Sequence, residues 1–135
     1  MFLADVNYLA VLVSAVAAMF VGAMWYGPLF GKMWMKYVGK TEEQLKENFN
    51  PAKTYGMAFI GEFVALGIMA NLFVYINVVT LGGALHTAFW TWLGFTFVTT
   101  FITGLFEDKK FGLLLINQVY HLVVFLIGAV IIYVW

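Results

Sequence analysis

Cysteine and arginine are both missing from this 135-residue chain, proline occurs only at Pro28 and Pro51, and charged residues make up just 10% of it. The lack of cysteine excludes disulfides, thiolate metal sites, iron–sulfur clusters and cysteine nucleophiles. The shortage of charge excludes an ordinary soluble domain, in which about a quarter of residues are charged. Apolar residues make up 64% of the sequence, and that much apolar surface belongs in lipid. Nucleic-acid binding needs a basic surface, whereas the formal net charge here is zero. Also missing are a zincin histidine pair, a phosphate loop, a nucleophile elbow and an acidic metal cluster. No catalytic residue, metal or cofactor is therefore assigned, and the chain does not read as an enzyme.

What is present is four apolar runs, at about 6–27, 52–76, 84–106 and 111–135. An α-helix rises about 1.5 Å per residue, so about 20 residues cross the roughly 30 Å hydrocarbon core. The expected fold is an all-α membrane protein, one domain over 1–135, with four transmembrane helices in two antiparallel hairpins. The first run lacks a basic leader and is longer than the core of a secretory signal, so it is expected to stay as a span.

The lysines are strongly segregated. Lys32, Lys36, Lys40, Lys46 and Lys53 lie in or beside the loop at about 28–51, and Lys109 and Lys110 lie in the 107–110 turn. The N-terminus, the middle connection and the C-terminus carry none. The positive-inside rule then puts both lysine loops in the cytoplasm and both termini outside.

Local signals add detail. Pro28 lacks an amide hydrogen, so Gly27-Pro28 is expected to end the first span, with Trp25, Tyr26, Gly27 and Pro28 forming a gate or structural turn. Ala10, Ser14, Ala18 and Gly22 recur every fourth residue and form a groove for a close helix neighbour. Lysines four apart at Lys32, Lys36 and Lys40 share a helical face, which predicts a short interfacial helix beside Met33 and Trp34. Thr41-Glu42-Glu43-Gln44 is a capping box opening a second short cytoplasmic helix. Asn50-Pro51 starts the second span, and Gly82-Gly83 breaks the outer turn.

Polar groups inside spans need partners and are candidate functional sites. Glu62 and His121 each lie about 15 Å inside the start of their spans, hence at one level near mid-membrane. Asn117 is one turn from His121 on the same face. Thr96, Thr99, Thr100 and Thr103 make a hydroxyl stripe that Glu107 extends to the lysine end. Two readings stand side by side. In one, Glu62, His121, Asn117 and the threonines form an intramembrane site for protons, a cation or a small solute. In the other they are interhelical hydrogen-bonding glue. His86, Asn71 and Asn7 are polar residues toward the outer ends. His86 is about 15 Å from His121 in depth, which excludes paired haem ligation within one chain.

The segment Gly22-Ala23-Met24-Trp25-Tyr26-Gly27-Pro28-Leu29-Phe30-Gly31-Lys32-Met33-Trp34 resembles the entry signature of the domain-of-unknown-function family numbered 1761. Asn7 and Leu115-Ile116-Asn117-Gln118-Val119-Tyr120-His121 resemble its other marks, so the resemblance covers almost the whole chain. It implies a four-span protein of the bacterial inner membrane and supplies no reaction or ligand. The leading functional class is a small, homo-oligomeric transporter or channel in the lipid bilayer. The alternative is a non-transporting scaffold or accessory subunit. Small multidrug exporters are also four-span chains with a membrane glutamate, but theirs lies in the first span, whereas Glu62 lies in the second.

Overall fold

The computed structural model describes residues 5–135, which contain helices and turns and no strand; the expectation for residues 1–4 lies outside them. Helix α1 (Tyr8–Met24) runs into a π-helical turn, Trp25–Leu29, and is followed by the short helices α2 (Gly31–Val38) and α3 (Glu42–Lys46). Helix α4 (Pro51–Tyr75) comes next. Helices α5 (Leu81–Thr91) and α6 (Val98–Phe106) are joined by a second π-helical segment, Trp92–Phe97, and α7 (Phe111–Val134) ends the fold. Four helical stretches are long and apolar enough to cross a membrane: Tyr8–Leu29, Pro51–Tyr75, Leu81–Phe106 and Phe111–Val134.

Side chains next to the helices explain where they start. Asn7 Oδ1 accepts the amides of Leu9 and Ala10 at 3.1 and 3.2 Å, Asn50 Oδ1 accepts Lys53 N at 3.2 Å, and Thr80 Oγ1 accepts Gly83 N at 2.9 Å. Each satisfies amide hydrogens that a first helical turn leaves without partners. Thr41 and Gln44 form the expected reciprocal capping box. The Thr80 cap places Gly82 and Gly83 inside the first turn of α5, so they start a helix and do not break the chain there.

Three helix ends share one device. Gly39, Asn77 and Asp108 adopt left-handed backbone at φ of 77°, 56° and 54°. The next amide in each case reaches back over the end of the helix: Lys40 N to Met35 O, Val78 N to Phe73 O and Lys109 N to Gly104 O. This is the Schellman closure, and Gly or Asn suits it because a left-handed residue is costly for other side chains.

Gly27-Pro28 does not end the first span. A proline inside an α-helix collides with the carbonyl four residues back. Here the helix widens, and Phe30 N bonds Trp25 O, five residues earlier, at 2.8 Å. The same sequence pattern, Trp-x-Gly-x-x-Phe, recurs at Trp92-Leu93-Gly94-Phe95-Thr96-Phe97, where the helix widens again. In both, the wider turn brings tryptophan against the phenylalanine five residues on, with ring centroids 4.7 Å apart for Trp25–Phe30 and 5.3 Å for Trp92–Phe97.

The second widening also rotates the remainder of its span. Ala84, Ala88 and Trp92 are buried at a spacing of four, and an unbroken α-helix would carry that face on to Phe95 and Thr99. Both are exposed instead, and Thr96, Phe97, Phe101 and Gly104 take the inward positions.

Helix α7 packs most extensively on α1 and then on α5, while α4 packs mainly on α1. The small-residue groove is filled from within the chain at its Ala18–Gly22 end. A Cβ on Gly22 would lie 3.1 Å from the Tyr120 hydroxyl. Leu66, fully buried, sits over Gly128 in the same manner. Much apolar surface remains outside, including Phe95 at 78% and Phe106 at 88% exposure, an arrangement suited to lipid.

The Gly128 contact can be tested directly. A Cβ there would lie 2.6 Å from Leu66 Cδ2. Gly128→Val should cost about 1–3 kcal/mol by overpacking, seen as a lower thermal unfolding midpoint in detergent. Adding Leu66→Ala should recover part of the loss.

Candidate functional site: an intramembrane polar cluster

The widened turn at the end of the first span presents two polar aromatic side chains to α7. Trp25 Nε1 donates to the Ile116 carbonyl at 2.9 Å, and the Tyr26 hydroxyl donates to Asn117 Oδ1 at 2.7 Å. On the other flank, Trp92 Nε1 donates to the Gln118 carbonyl at 2.7 Å. Tryptophans at the same position of two like-patterned turns thus hold carbonyls two residues apart on one helix. Gate or not, Trp25 to Pro28 is the structural turn that makes the first of these contacts.

Glu62 lies next to the midpoint of α4 and is half-buried. Its partner is Tyr120. The Tyr120 hydroxyl donates to the Ala18 carbonyl at 3.0 Å and reaches Glu62 Oε1 at 3.5 Å. A phenol has one proton to donate, so the shorter bond takes most of it and the carboxyl group is weakly held. The Tyr26 and Tyr120 rings meet edge to face at 5.4 Å, and Trp34 of α2 packs on Tyr26 at 5.9 Å. Asn117, Tyr26, Tyr120 and Glu62 therefore form one continuous cluster across α7, the Trp25–Leu29 turn and α4.

His121 follows Tyr120 on α7 but faces another way. It contacts the Tyr120 ring at 5.2 Å, and no hydrogen bond or ion pair joins it to Glu62. Successive residues of an α-helix are turned by about 100°, so equal depth did not bring His121 to the glutamate; its neighbour Tyr120 makes that contact.

The threonine stripe divides. Thr99 Oγ1 donates to Phe95 O at 2.6 Å and Thr103 Oγ1 to Thr99 O at 3.1 Å, so both hydroxyls are satisfied by their own helix. Thr96 is half-buried, and Thr100 and Thr103 line a cleft between α6 and α7 that also reaches Asn117, Gln118 and Glu107. The polar residues near the other ends of the spans have local roles. Asn7 caps α1, His86 accepts a hydrogen bond from Trp90 Nε1, and Asn71 Nδ2 donates to Gly67 O at 2.7 Å. Among the described residues, no cluster of three or more His, Cys, Asp or Glu side chains is placed to hold a metal. The ion pairs, Glu42–Lys46 at 3.2 Å and Glu107–Lys109 at 3.8 Å, are exposed and outside this cluster.

Tyr120 and Gln118 are the two residues that sequence reasoning passed over. The signal for Tyr120 was present, because a buried tyrosine hydroxyl needs a partner. Gln118 carried the same signal in an amide buried to 4% exposure.

A family model described as a protein of unknown function, DUF1761, matches residues 9–133. No curated protein and no solved structure matches the chain. With the match spanning both widened turns and all of the polar cluster, the chain belongs to the DUF1761 family.

Proposed function

We propose that this protein is a small oligomeric transporter or channel of the bacterial inner membrane, in which Glu62 takes up a proton, a cation or a small polar solute. The observation that supports this reading is the weak partnering of Glu62. Its carboxyl group lies near the middle of a membrane-length helix and, among the described residues, has one hydrogen-bonding contact, the 3.5 Å approach of a hydroxyl whose shorter bond goes elsewhere. An ionised side chain at that depth costs about 3 kcal/mol or more unless something further satisfies it. A proton, a cation or a solute donor group fills that need. The Tyr26–Asn117 bond then supports the site by fixing Tyr26 against the Tyr120 ring.

The lysine pattern supports an orientation with the loops at about 28–51 and 107–110 in the cytoplasm and both termini outside, α2 and α3 lying at the inner interface, and the spans paired as two antiparallel hairpins of one domain. The exposed apolar surface of the third span supports association with further copies.

A second reading, a non-transporting scaffold or accessory subunit, is favoured by how many span polar groups are satisfied internally. Ser14, Thr87, Thr91, Thr99 and Thr103 all donate to carbonyls of their own helices. On this reading the exposed Lys32, Met33 and Lys36 of α2 hold the partner.

Three measurements separate these ideas. In proteoliposomes carrying an internal pH dye, wild type should pass protons or solute faster than protein-free vesicles, and Glu62→Gln should fall to the protein-free level. Equal flux in all three removes the transport reading and leaves the scaffold. A double-mutant cycle of Tyr26→Phe and Asn117→Ala, read by unfolding in detergent, should give a coupling of about 0.6 kcal/mol, the usual scale for interhelical bonds in membranes. The cysteine-free background allows single-cysteine mapping: Lys40→Cys should react with an impermeant maleimide only after the membrane is opened, and Val79→Cys without opening it. The reverse pattern would invert the orientation.

A further inference from the structure

Three side chains that line the cleft between α6 and α7 carry hydrogen-bond donors that nothing among the described residues accepts: Gln118, Asn117 and Thr100. Gln118 Oε1 is sealed inside the protein, so the polar atom this side chain leaves open is Nε2, which is neither buried nor hydrogen-bonded. Asn117 divides in a similar way. Its Oδ1 accepts the Tyr26 hydroxyl at 2.7 Å, and its Nδ2 stays open. Thr100 differs from its neighbours Thr99 and Thr103, whose hydroxyls donate to carbonyls of their own helix. The Thr100 side chain is exposed and its hydroxyl makes no hydrogen bond among the described residues. Amide and hydroxyl donors within a span have little water to turn to, and leaving them without an acceptor is costly.

The lining limits what an occupant can be. Because the unmet groups are donors, it has to bring acceptors, and a sugar or simple alcohol would add further donors to a site with few acceptors left. The cleft also runs from the 107–110 turn, where two membrane-length helices end, to Gln118, about 10 Å into α7. That is the level at which the phosphate and ester groups of a bilayer meet its hydrocarbon. At the turn end Lys109 supplies a cation. Its side chain is 57% exposed, and its Cβ rests over Gly104, 3.7 Å from where a Cβ on that glycine would lie. Phe101 and Leu114 make the walls apolar, and Leu105 and Phe111 at the rim are 63% and 54% exposed. The volume of about 220 Å³ far exceeds the roughly 10–15 Å³ that one water needs. It suits the compact glycerol part of a lipid, with the chains left outside on the exposed apolar surface.

We propose that this cleft seats the glycerol diester of a membrane phospholipid. Its ester carbonyls accept from Gln118 Nε2, Asn117 Nδ2 and the Thr100 hydroxyl, its phosphate lies at Lys109, and its acyl chains run over Leu105 and Phe111. The site does not depend on Glu62 and stands whether or not the protein transports anything.

The test exploits the ester carbonyls. The full-length protein in detergent is equilibrated with equal amounts of diester and diether phosphatidylglycerol of identical chain length, and the retained lipid is weighed by native mass spectrometry. Ether linkages remove the carbonyls while keeping phosphate and chains. Bound diester should exceed diether about threefold for one such bond and about eightfold for two, from the usual strength of hydrogen bonds within membranes. Gln118→Leu combined with Thr100→Val should at least halve that ratio, and Thr91→Val, whose hydroxyl is satisfied by its own helix, should leave it unchanged. A wild-type ratio of one, a ratio that the double variant preserves, or an equal fall in Thr91→Val overturns the site. Gln118→Leu removes a buried oxygen that has no partner and is expected to fold. If it does not, Thr100→Val alone decides: a lowered ratio supports the site and an unchanged one overturns it. Lys109→Gln should reduce retention of both lipids and keep their ratio, because the phosphate is common to both; undiminished retention overturns the phosphate position.

Discussion

Backbone amides and carbonyls inside a bilayer have no water to turn to, and every local departure from the α-helix has to be answered by another donor or acceptor in the chain. Two such departures occur here, at Trp25–Leu29 and Trp92–Phe97. Each widens a helix, and each places an indole N–H where it donates to a carbonyl of α7. The last helix is thereby fixed between the first and third spans by directional bonds as well as by packing. The position of Tyr120 against Ala18, and so the surroundings of Glu62, depends on that placement.

Charge is handled by a different rule. Both ion pairs among the described residues are exposed, in the α3 helix and the 107–110 turn, where water screens them and each contributes about 0–1 kcal/mol. The membrane-length helices rely on neutral groups: indoles, phenols, amides and hydroxyls. Glu62 departs from this rule. Its nearest polar neighbour is a phenol, which offers a hydrogen bond and no opposing charge. That difference separates a helix-joining contact from a group left open to chemistry.

Periodicity and capping made the span limits legible in the sequence, because helix starts are local events. Asn7, Thr41, Asn50-Pro51 and Thr80 act within three residues of themselves, and two of the four, Thr41 and Asn50-Pro51, could be read directly. Rotation was not legible. Counting residues from the span starts singled out Glu62 and His121, but the α7 side chain that reaches Glu62 is Tyr120, because facing depends on how helices dock. The widened turns added to the difficulty. Proline at position 28 suggested a stop, and nothing about Trp92–Phe97 alone announced a change of phase until its pattern could be compared with Trp25–Phe30.

A π turn is the equivalent of one extra residue accommodated within an otherwise α-helical rod. In the third span this separates two properties that a regular helix ties together, its length and its azimuth. Removing a single residue between Trp92 and Phe97 would let the turn close into a regular α-helix, shortening the span by about 1.5 Å while Phe97, Phe101 and Gly104 keep facing inward. Removing one between Val98 and Phe106 would find no widened turn to absorb it and would swing everything beyond it by about 100°. Among family members, a one-residue gap at the widened turn would therefore leave the lining between α6 and α7 as it is, whereas the same gap a turn later would rebuild it.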